Sequence, residues 1–159
     1  MRWRPMTNAD LPAVLALAAA LHPHHPESPA VFAERLALAP EGCWVLGEGR
    51  GYAVAHPWAG APPPPLDTLL GALPASPDAL HLHDIALEPG MQGAGHAAAF
   101  VADLLRDAEG RGLRRATLVA VDGKDAYWAR QGFRPLPGAA GPALASYGPD
   151  AVAMARLLA

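Results

Sequence analysis

The sequence predicts a single mixed α/β domain with one antiparallel hairpin and one parallel pair of strands. Its 159 residues suit one domain with a buried core. Alternating apolar residues around a glycine turn over 43–58 predict the hairpin. A strand, loop, helix and strand pattern over 80–121 predicts the parallel pair, because a crossover helix returns the chain in the same direction.

Composition excludes several classes of protein. Hydrophobic residues make up 52% of the chain and charged residues 17%, which is typical of a globular protein and not of a disordered one. No apolar run reaches the ~20 residues of a membrane helix, and the N-terminus reads directly into structure without a signal peptide. The single Cys43 excludes an internal disulfide, and a net charge of -3 with one lysine, Lys124, argues against nucleic-acid binding. We therefore expect a cytoplasmic protein.

Two helices are predicted in the N-terminal third. Thr7 or Asp10 caps the first, and Pro12 favours the later start because proline suits a first helical turn. This helix ends at the proline- and histidine-rich residues 22–26. A second helix is expected over 29–38.

Three strands accompany these helices. The first is expected over 2–6, and the other two, at 43–48 and 51–58, flank a tight turn at Gly49-Arg50. The segment 59–79 that follows is rich in proline and alanine, and we expect a loop or lid interrupted by a short helix at Leu66 to Leu73.

The C-terminal half has the clearest pattern. A strand at 80–88 leads into a glycine-rich loop at 89–95, a helix at 96–109 with one apolar face, and a continuously apolar strand at 116–121. The remaining predicted elements are a helix over 125–131 and strands over 133–136 and 151–158.

The glycine-rich loop is a candidate phosphate site. Backbone N–H groups at such a loop, with the dipole of the following helix, bind an anion without any lysine. A plain tight connection is the alternative. The absence of Gly-Lys-Ser/Thr excludes a Walker A loop. A dinucleotide fingerprint stays open, since Gly93, Gly95 and Ala98 fit it and Asp122 ends the next strand; the extra residues 89–91 and the small number of strand–helix units weigh against it.

A family resemblance covers residues 2–158. Residues 92–97, Gln-Gly-Ala-Gly-His-Ala, satisfy Q/R-x-x-G-x-G/A, the pyrophosphate loop of the GNAT superfamily of N-acetyltransferases. Residues 87–89 before it resemble the V-x-P of that family, and Gly132-Phe133 resembles its Gly-Phe ending. The order of the elements is similar as well. The resemblance implies the GNAT fold, a mostly antiparallel central sheet with flanking helices, in which the parallel fourth and fifth strands splay apart.

The same resemblance implies acetyl-CoA as co-substrate. Its diphosphate would bind the loop amides, its pantetheine would lie along the fourth strand, and its thiol would approach the end of the fifth strand and the short helix after it. The residues implied to bind it are Ile85, Ala86, Leu87, Gln92, Gly93, Ala94, Gly95, His96, Ala97, Asp122 and Trp128.

Two histidines are candidate bases, because an imidazole titrates near neutral pH. The spacing of His81 and His83 places both side chains on one face of the strand, with Asp84 on the opposite face. This stretch resembles the arylalkylamine (serotonin) N-acetyltransferases, which implies His83 as the base nearer the thioester and His81 as an outer relay. The alternative is a pair of hydrogen-bonded core histidines.

The general acid is less evident, because Trp128 stands where many members of the family have a tyrosine. Tyr127, Tyr147 or no dedicated acid are the alternatives, and Tyr147 is our candidate. His22, with the other histidines of its loop, and Trp58 are expected to border the acceptor. The alternatives are a solvated histidine loop and a Trp58 that packs in the core or against the lid. A zinc site built on the histidines is a further alternative, but the interpretation we adopt has no metal.

The sequence thus predicts an N-acetyltransferase that moves acetyl from acetyl-CoA to a small primary amine, directly in a ternary complex. An aromatic amine, a polyamine, a protein lysine and a protein N-terminus stay open as acceptors. Cys43 lies too far along the chain from the loop for an acetyl-cysteine route. A silent acyl-CoA sensor is the alternative function, and a nicotinamide enzyme is a third. No nucleic-acid or membrane partner is expected, and a homodimer stays open.

Overall fold

The computed structural model describes all residues, 1–159, and contains one seven-stranded sheet. The strand order is β1-β2-β3-β4-β5-β7-β6, and only the β4–β5 pair is parallel. This confirms the predicted mixed α/β fold with its parallel pair. The strands are β1 Trp3–Pro5, β2 Cys43–Leu46, β3 Gly51–Trp58, β4 Ala79–Leu87, β5 Arg115–Ala120, β6 Arg134–Pro135 and β7 Val152–Leu157.

Five α-helices accompany the sheet, and four of them were predicted. The fifth helix, α5, has only four residues and was not predicted. The helices are α1 Leu11–Leu21, α2 Pro29–Leu38, α3 His96–Gly110, α4 Asp125–Arg130 and α5 Pro142–Ala145.

Both faces of the sheet are covered by apolar side chains. On one face, Phe100 and Leu104 of α3 pack against β3, β4 and β5. On the other face, Val14 of α1 and Phe32 of α2 pack against Val45 and the neighbouring strand residues. These two layers hold β4 in the middle of the sheet and fix the direction in which each of its side chains points.

A β-bulge lies at the centre of β4. Val54 pairs with Asp84 and Ala55 pairs with Leu82, so His83 has no partner on β3. A bulge places two consecutive side chains on the same side of a sheet. Asp84 therefore faces the α1–α2 side together with His83, and the expectation that it faces the opposite side was wrong.

The β4–β5 ladder is short. It begins at Ala79 with Arg115 and ends at Leu82 with Leu118. Both strands continue beyond this point, but they no longer pair with each other. The sheet therefore opens between the two strands, as the predicted splayed pair requires.

Residues 59–78, which we call the strap, form an irregular segment that contains no helix. The helix expected at Leu66 to Leu73 is absent for two reasons. Asp67 has a left-handed φ of 53°, and the N–H groups of Leu70 and Gly71 donate to the Glu34 carboxylate on α2 at 2.6 and 2.9 Å. These bonds replace those that a helix would make within the segment.

Candidate active site

A cavity of about 590 Å³ occupies the gap between β4 and β5. Its volume is in the usual range for small-molecule sites, about 300–1,000 Å³. The glycine-rich loop and the start of α3 bound one end. The α1–α2 loop, the strap and the segment before β7 bound the other, which we call the acceptor end, where the lining residues are Leu21, His22, His25, Glu27, Leu66, His83, Asp84, Asp122 and Tyr147.

The loop before α3 presents free amides. Gly93 and Gly95 adopt left-handed φ angles of 82° and 83°, which glycine alone adopts without strain. The N–H groups of residues 93–98 donate no hydrogen bond within the protein. The Gln92 side chain donates to the Leu87 carbonyl at 2.9 Å and ties the loop to the end of β4. The result is a row of six unpartnered donors at the N-terminus of a fifteen-residue helix, which is an anion site.

His83 is held by a carboxylate from another element. Its Nε2–H donates to Glu27 Oε1 at 2.7 Å, and the two side chains are 2% and 6% exposed. Glu27 Oε2 accepts the N–H of Asp67 in the strap at 2.9 Å. With Nε2 committed, His83 Nδ1 carries a lone pair that has no partner in the protein. A buried imidazole oriented by a carboxylate, with its other nitrogen free, is the arrangement of a general base.

A second imidazole–carboxylate pair lies beside the first. Asp84 accepts the Tyr52 hydroxyl at 2.6 Å, and its other oxygen lies 3.1 Å from His22 Nε2. The neighbouring Asp84 raises the pKa of His22 above its ordinary value. His22 therefore tends to keep its proton.

His81 and His56 form a buried group behind His83. Their ring centroids lie 5.4 Å apart, and each lies 6.2 Å from the centroid of His83. His81 is 1% exposed, and its Nδ1 lies 2.8 Å from Thr117 Oγ1. Burial lowers the pKa of His56 to about 3 and lowers the pKa of His81 well below its ordinary value. Both imidazoles are therefore neutral at neutral pH.

Tyr147 closes the acceptor end. Its hydroxyl donates to the Pro64 carbonyl of the strap at 2.7 Å, and its own carbonyl accepts His25 Nε2–H at 2.9 Å. Burial raises the pKa of Tyr147 above its ordinary value. His25 Nδ1 lies 3.9 Å from a carboxylate oxygen of Asp122, so this contact joins the acceptor end to the end of β5.

Trp128 forms part of the cavity wall, and its side chain has no hydroxyl group. It is buried, lines the cavity, and packs edge-on against Phe133 at 5.5 Å and Tyr127 at 5.1 Å between ring centroids.

Cys43 is fully buried away from the cavity, and burial raises the pKa of its thiol to about 12. A thiolate at that position is therefore unavailable at neutral pH.

The structure brings most of the predicted site residues to one cavity. Those that line it are His22, His83, Ile85, Ala86, Leu87, Gln92, Gly93, Gly95, His96, Ala97, Asp122, Trp128 and Tyr147. Three others do not. His81 lies beneath the surface, Ala94 is exposed on the loop, and the Trp58 indole donates to the Pro62 carbonyl and packs against the strap.

Glu27 is the main site residue that sequence reasoning missed. It lies in the loop expected to border the acceptor, one residue after the proline run, and that position was its only signal. The strap residue Leu66 was also unforeseen as part of the wall, whereas His25 belongs to the loop that was expected to border the acceptor. The histidine and carboxylate groups are not arranged so that three could hold a metal ion. No helix is both long and apolar enough to cross a membrane.

Comparison with known proteins identifies the family. Residues 7–133 match the family model described as the acetyltransferase (GNAT) family. The chain belongs to this family. The GNAT fold and an acyltransferase activity follow from that membership, as the sequence predicted. No curated protein matches this GNAT chain in sequence.

Solved structures share the fold over the whole chain. The GNAT-like decarboxylase GphF in complex with isobutyryl-CoA is 23% identical, with a TM-score of 0.74 and complete coverage of both chains. The ribosomal-protein-S18-alanine N-acetyltransferase of Escherichia coli is 19% identical with a TM-score of 0.64, over 99% of this chain and 94% of that one. N-acetylglutamate synthase of Neisseria gonorrhoeae, complexed with coenzyme A and N-acetyl-glutamate, is 18% identical with a TM-score of 0.74, over 99% of this GNAT chain and 35% of the other. Identities this low establish the fold alone.

Proposed function

We propose that this GNAT protein transfers acetyl from acetyl-CoA to a small primary amine. The observation that carries the proposal is the row of six unpartnered N–H groups at residues 93–98, of which all but Ala94 belong to residues that line the cavity at the start of α3. Such a row binds a diphosphate through hydrogen bonds and the helix dipole. GphF and N-acetylglutamate synthase, which share the fold, are described in complex with isobutyryl-CoA and coenzyme A.

The rest of the cofactor fits the same cavity. Bound acetyl-CoA would supply the thioester that the reaction consumes. The residues Ile85, Ala86 and Leu87 lie on the part of β4 that β5 leaves unpaired, so their backbone can pair with the extended pantetheine. Asp122 and Trp128 lie on the opposite wall and are proposed to face the thiol end.

His83 is the proposed general base. An amine arrives as an ammonium ion and must lose a proton before it can attack a thioester. His83 Nδ1 is free to accept that proton, and Glu27 stabilises the imidazolium that results. The buried, neutral His81 lies behind it. A relay role for His81, and with it the likeness to the arylalkylamine N-acetyltransferases, stays a prediction.

Direct transfer in a ternary complex is the proposed route. An acetyl-enzyme route needs a nucleophile on the protein, and the one thiol of the chain, Cys43, is buried and protonated. Tyr147 is the proposed proton donor to the leaving thiolate, because its phenol lines the cavity and keeps its proton at neutral pH. To donate, its hydroxyl must leave the Pro64 carbonyl.

The strap supports a small-molecule acceptor. A peptide acceptor needs an open groove at the acceptor end of the cavity. The strap, through Leu66, forms part of the wall at that end and leaves less room for a long chain. Its anchors include the bond from Tyr147 to Pro64, the Ser146 hydroxyl at the Leu66 amide and Arg35 at the Thr68 carbonyl. His22, which lines the cavity, is the proposed acceptor contact on the side opposite the strap. Trp58 lies outside the cavity lining, and its indole N–H donates to the Pro62 carbonyl of the strap.

Release of coenzyme A from acetyl-CoA, measured against a panel of small amines and short peptides, tests this function. We expect turnover with a subset of the small amines and none with the peptides. Binding of acetyl-CoA without turnover of any acceptor would contradict the enzyme and favour an acyl-CoA sensor. Turnover of peptides alone would contradict the small-molecule acceptor.

A further inference from the structure

The polar atoms at the acceptor end are nearly all hydrogen-bond acceptors. His83 Nε2–H donates to the Glu27 carboxylate, and His25 Nε2–H donates to the Tyr147 carbonyl. The Nδ1 atom of each imidazole is buried and has no partner in the protein. The Tyr147 hydroxyl donates its hydrogen bond to the Pro64 carbonyl, so its oxygen is left as an acceptor. The carboxylates of Asp84 and Asp122 add further acceptor oxygens. Only His22, whose pKa the adjacent Asp84 raises, tends to carry a proton.

The formal charges of the lining residues also favour a positively charged ligand. Three carboxylates, those of Glu27, Asp84 and Asp122, line the cavity, against a single ammonium, that of Lys124. No arginine lines it. The guanidinium of Arg35 on α2 is fully buried outside the cavity lining, and both of its terminal nitrogens donate to the Thr68 carbonyl.

One carboxylate is not engaged by another side chain at hydrogen-bond distance. Glu27 is held by His83, and Asp84 is held by Tyr52 and His22. Asp122 has only the 3.9 Å contact to His25 Nδ1, and its side chain is 47% exposed. Its φ of 54° is left-handed, a conformation that Asp and Asn adopt more readily than other residues with a side chain.

We propose that the acceptor amine carries a second positively charged group and no carboxylate, and that Asp122 with His25 binds this second group. The inference rests on the proposed acetyl transfer and names the substrate class for the same cavity. One nitrogen of the acceptor meets His83 Nδ1. A second ammonium, which has only donors, is complementary to the remaining lone pairs and to the charge of Asp122.

A carboxylate on the acceptor finds few partners here, because Lys124 and His22, which Asp84 already engages, are the lining groups that tend to carry a positive charge. It would meet like charges on Asp84 and Asp122, and the desolvation of an unpaired carboxylate is unfavourable. Small aliphatic diamines therefore fit the acceptor end, whereas amino acids do not.

The experiment compares acceptors of equal length. Diamines with three to five carbons are tested beside the monoamines and the ω-amino acids of the same length, with coenzyme A release measured at pH 8. We expect kcat/KM for the best diamine to exceed that of its monoamine by ~10-fold, which corresponds to about 1.4 kcal/mol, and we expect no turnover of the amino acid.

A variant assigns the effect to one residue. Asp122→Asn keeps the size of the side chain and the tolerance of a left-handed φ but removes the charge. We expect it to lower the diamine-to-monoamine ratio of kcat/KM towards one. Asp125→Asn, three residues further on and outside the cavity lining, is the matched control and should keep the wild-type ratio.

The outcomes separate this inference from the proposed function. Equal use of diamine and monoamine, preference for the amino acid, or an unchanged ratio in Asp122→Asn would overturn the second charge while acetyl transfer stands. If acetyl-CoA binds and no acceptor of any class is turned over, the proposed function falls and this inference falls with it.

Discussion

His83 differs from the other two imidazoles of its group because a carboxylate holds it and the cavity reaches it. His56 and His81 sit in the core, where desolvation keeps them neutral. His83 lines the cavity, and Glu27 fixes which of its nitrogens is free. Two residues along β4 therefore separate a core histidine, His81, from a candidate base, His83, which lies at the bulge.

Replacing His83 tests its role as base. We expect His83→Ala to lower kcat by ~10²-fold at neutral pH, with partial recovery at high pH where free amine becomes abundant. The pH dependence of kcat/KM measures this. His24→Ala, an exposed histidine of the α1–α2 loop, is the control. An unchanged pH–rate profile in His83→Ala would remove His83 from the mechanism.

Tyr147 is tested by removing its hydroxyl. Tyr147→Phe loses the bond to Pro64 and the proposed donor together. We expect a lower kcat with an altered high-pH limb, because a lost donor changes which proton limits the rate. A rate lowered equally at every pH would show that the hydroxyl only anchors the strap, and full activity would clear Tyr147 of both roles.

The strap is the element that couples the acceptor end to the base. Its Asp67 amide holds Glu27, and Glu27 holds His83. Glu34 and Arg35 on α2 fix the strap by accepting two of its amides and donating to one of its carbonyls. The segment is therefore a structural part of the site, and it is anchored from several sides.

Weakening this anchor should affect stability and rate together. Glu34→Gln removes the charge that accepts the Leu70 and Gly71 amides and leaves the buried Arg35 with one fewer counter-charge. We expect a loss of about 1–3 kcal/mol in the free energy of unfolding and a lower kcat, measured by urea denaturation and coenzyme A release. Glu109→Gln on the exposed face of α3 is the control. Wild-type stability and rate in Glu34→Gln would contradict the coupling.

Local patterns predicted most of the elements but not the strap. The helix over 96–109 and the strand over 116–121 followed from apolar periodicity, and the structure has them at His96–Gly110 and Arg115–Ala120. The helix expected at Leu66 to Leu73 fails because tertiary bonds to Glu34 capture its amides. A local sequence pattern does not contain a carboxylate that lies 36 residues before Leu70 in the chain.

The site was predictable to the same extent. The loop amides and His83 carry their chemistry in residue type and spacing. Asp84 was placed on the wrong face, because strict alternation holds only without a bulge. Glu27 reaches His83 from a loop with no regular period, and only the packing of α1 and α2 against the sheet brings the two together.

At the scale of the whole molecule, buried imidazoles make stability depend on pH. His56 titrates near 6.5 when unfolded and at about 3 when folded. Between these pH values the unfolded chain binds one more proton at His56 than the folded chain. The contribution of His56 to the free energy of unfolding is therefore complete above about pH 6.5. It falls by up to about 1.4 kcal/mol per pH unit as the pH drops towards 3.

Urea denaturation at pH 7, 6 and 5 measures this loss. We expect His56→Gln to be less stable than the wild type at pH 7 but to lose less stability on acidification. The raised pKa of His22 acts with the opposite sign, but both proteins contain His22, so the difference between them isolates His56. Equal slopes in the two proteins would contradict the buried neutral imidazole.

Titration of coenzyme A into matched glycine variants is the most direct test of the central claim. Gly95 and Gly112 lie at opposite ends of α3, both with left-handed φ and open space around them. An aspartate at either position costs similar backbone strain, but only Gly95→Asp places a negative charge among the free amides. By calorimetry we expect wild type and Gly112→Asp to bind coenzyme A and Gly95→Asp to lose binding. Undiminished binding in Gly95→Asp would place the coenzyme elsewhere and contradict the account.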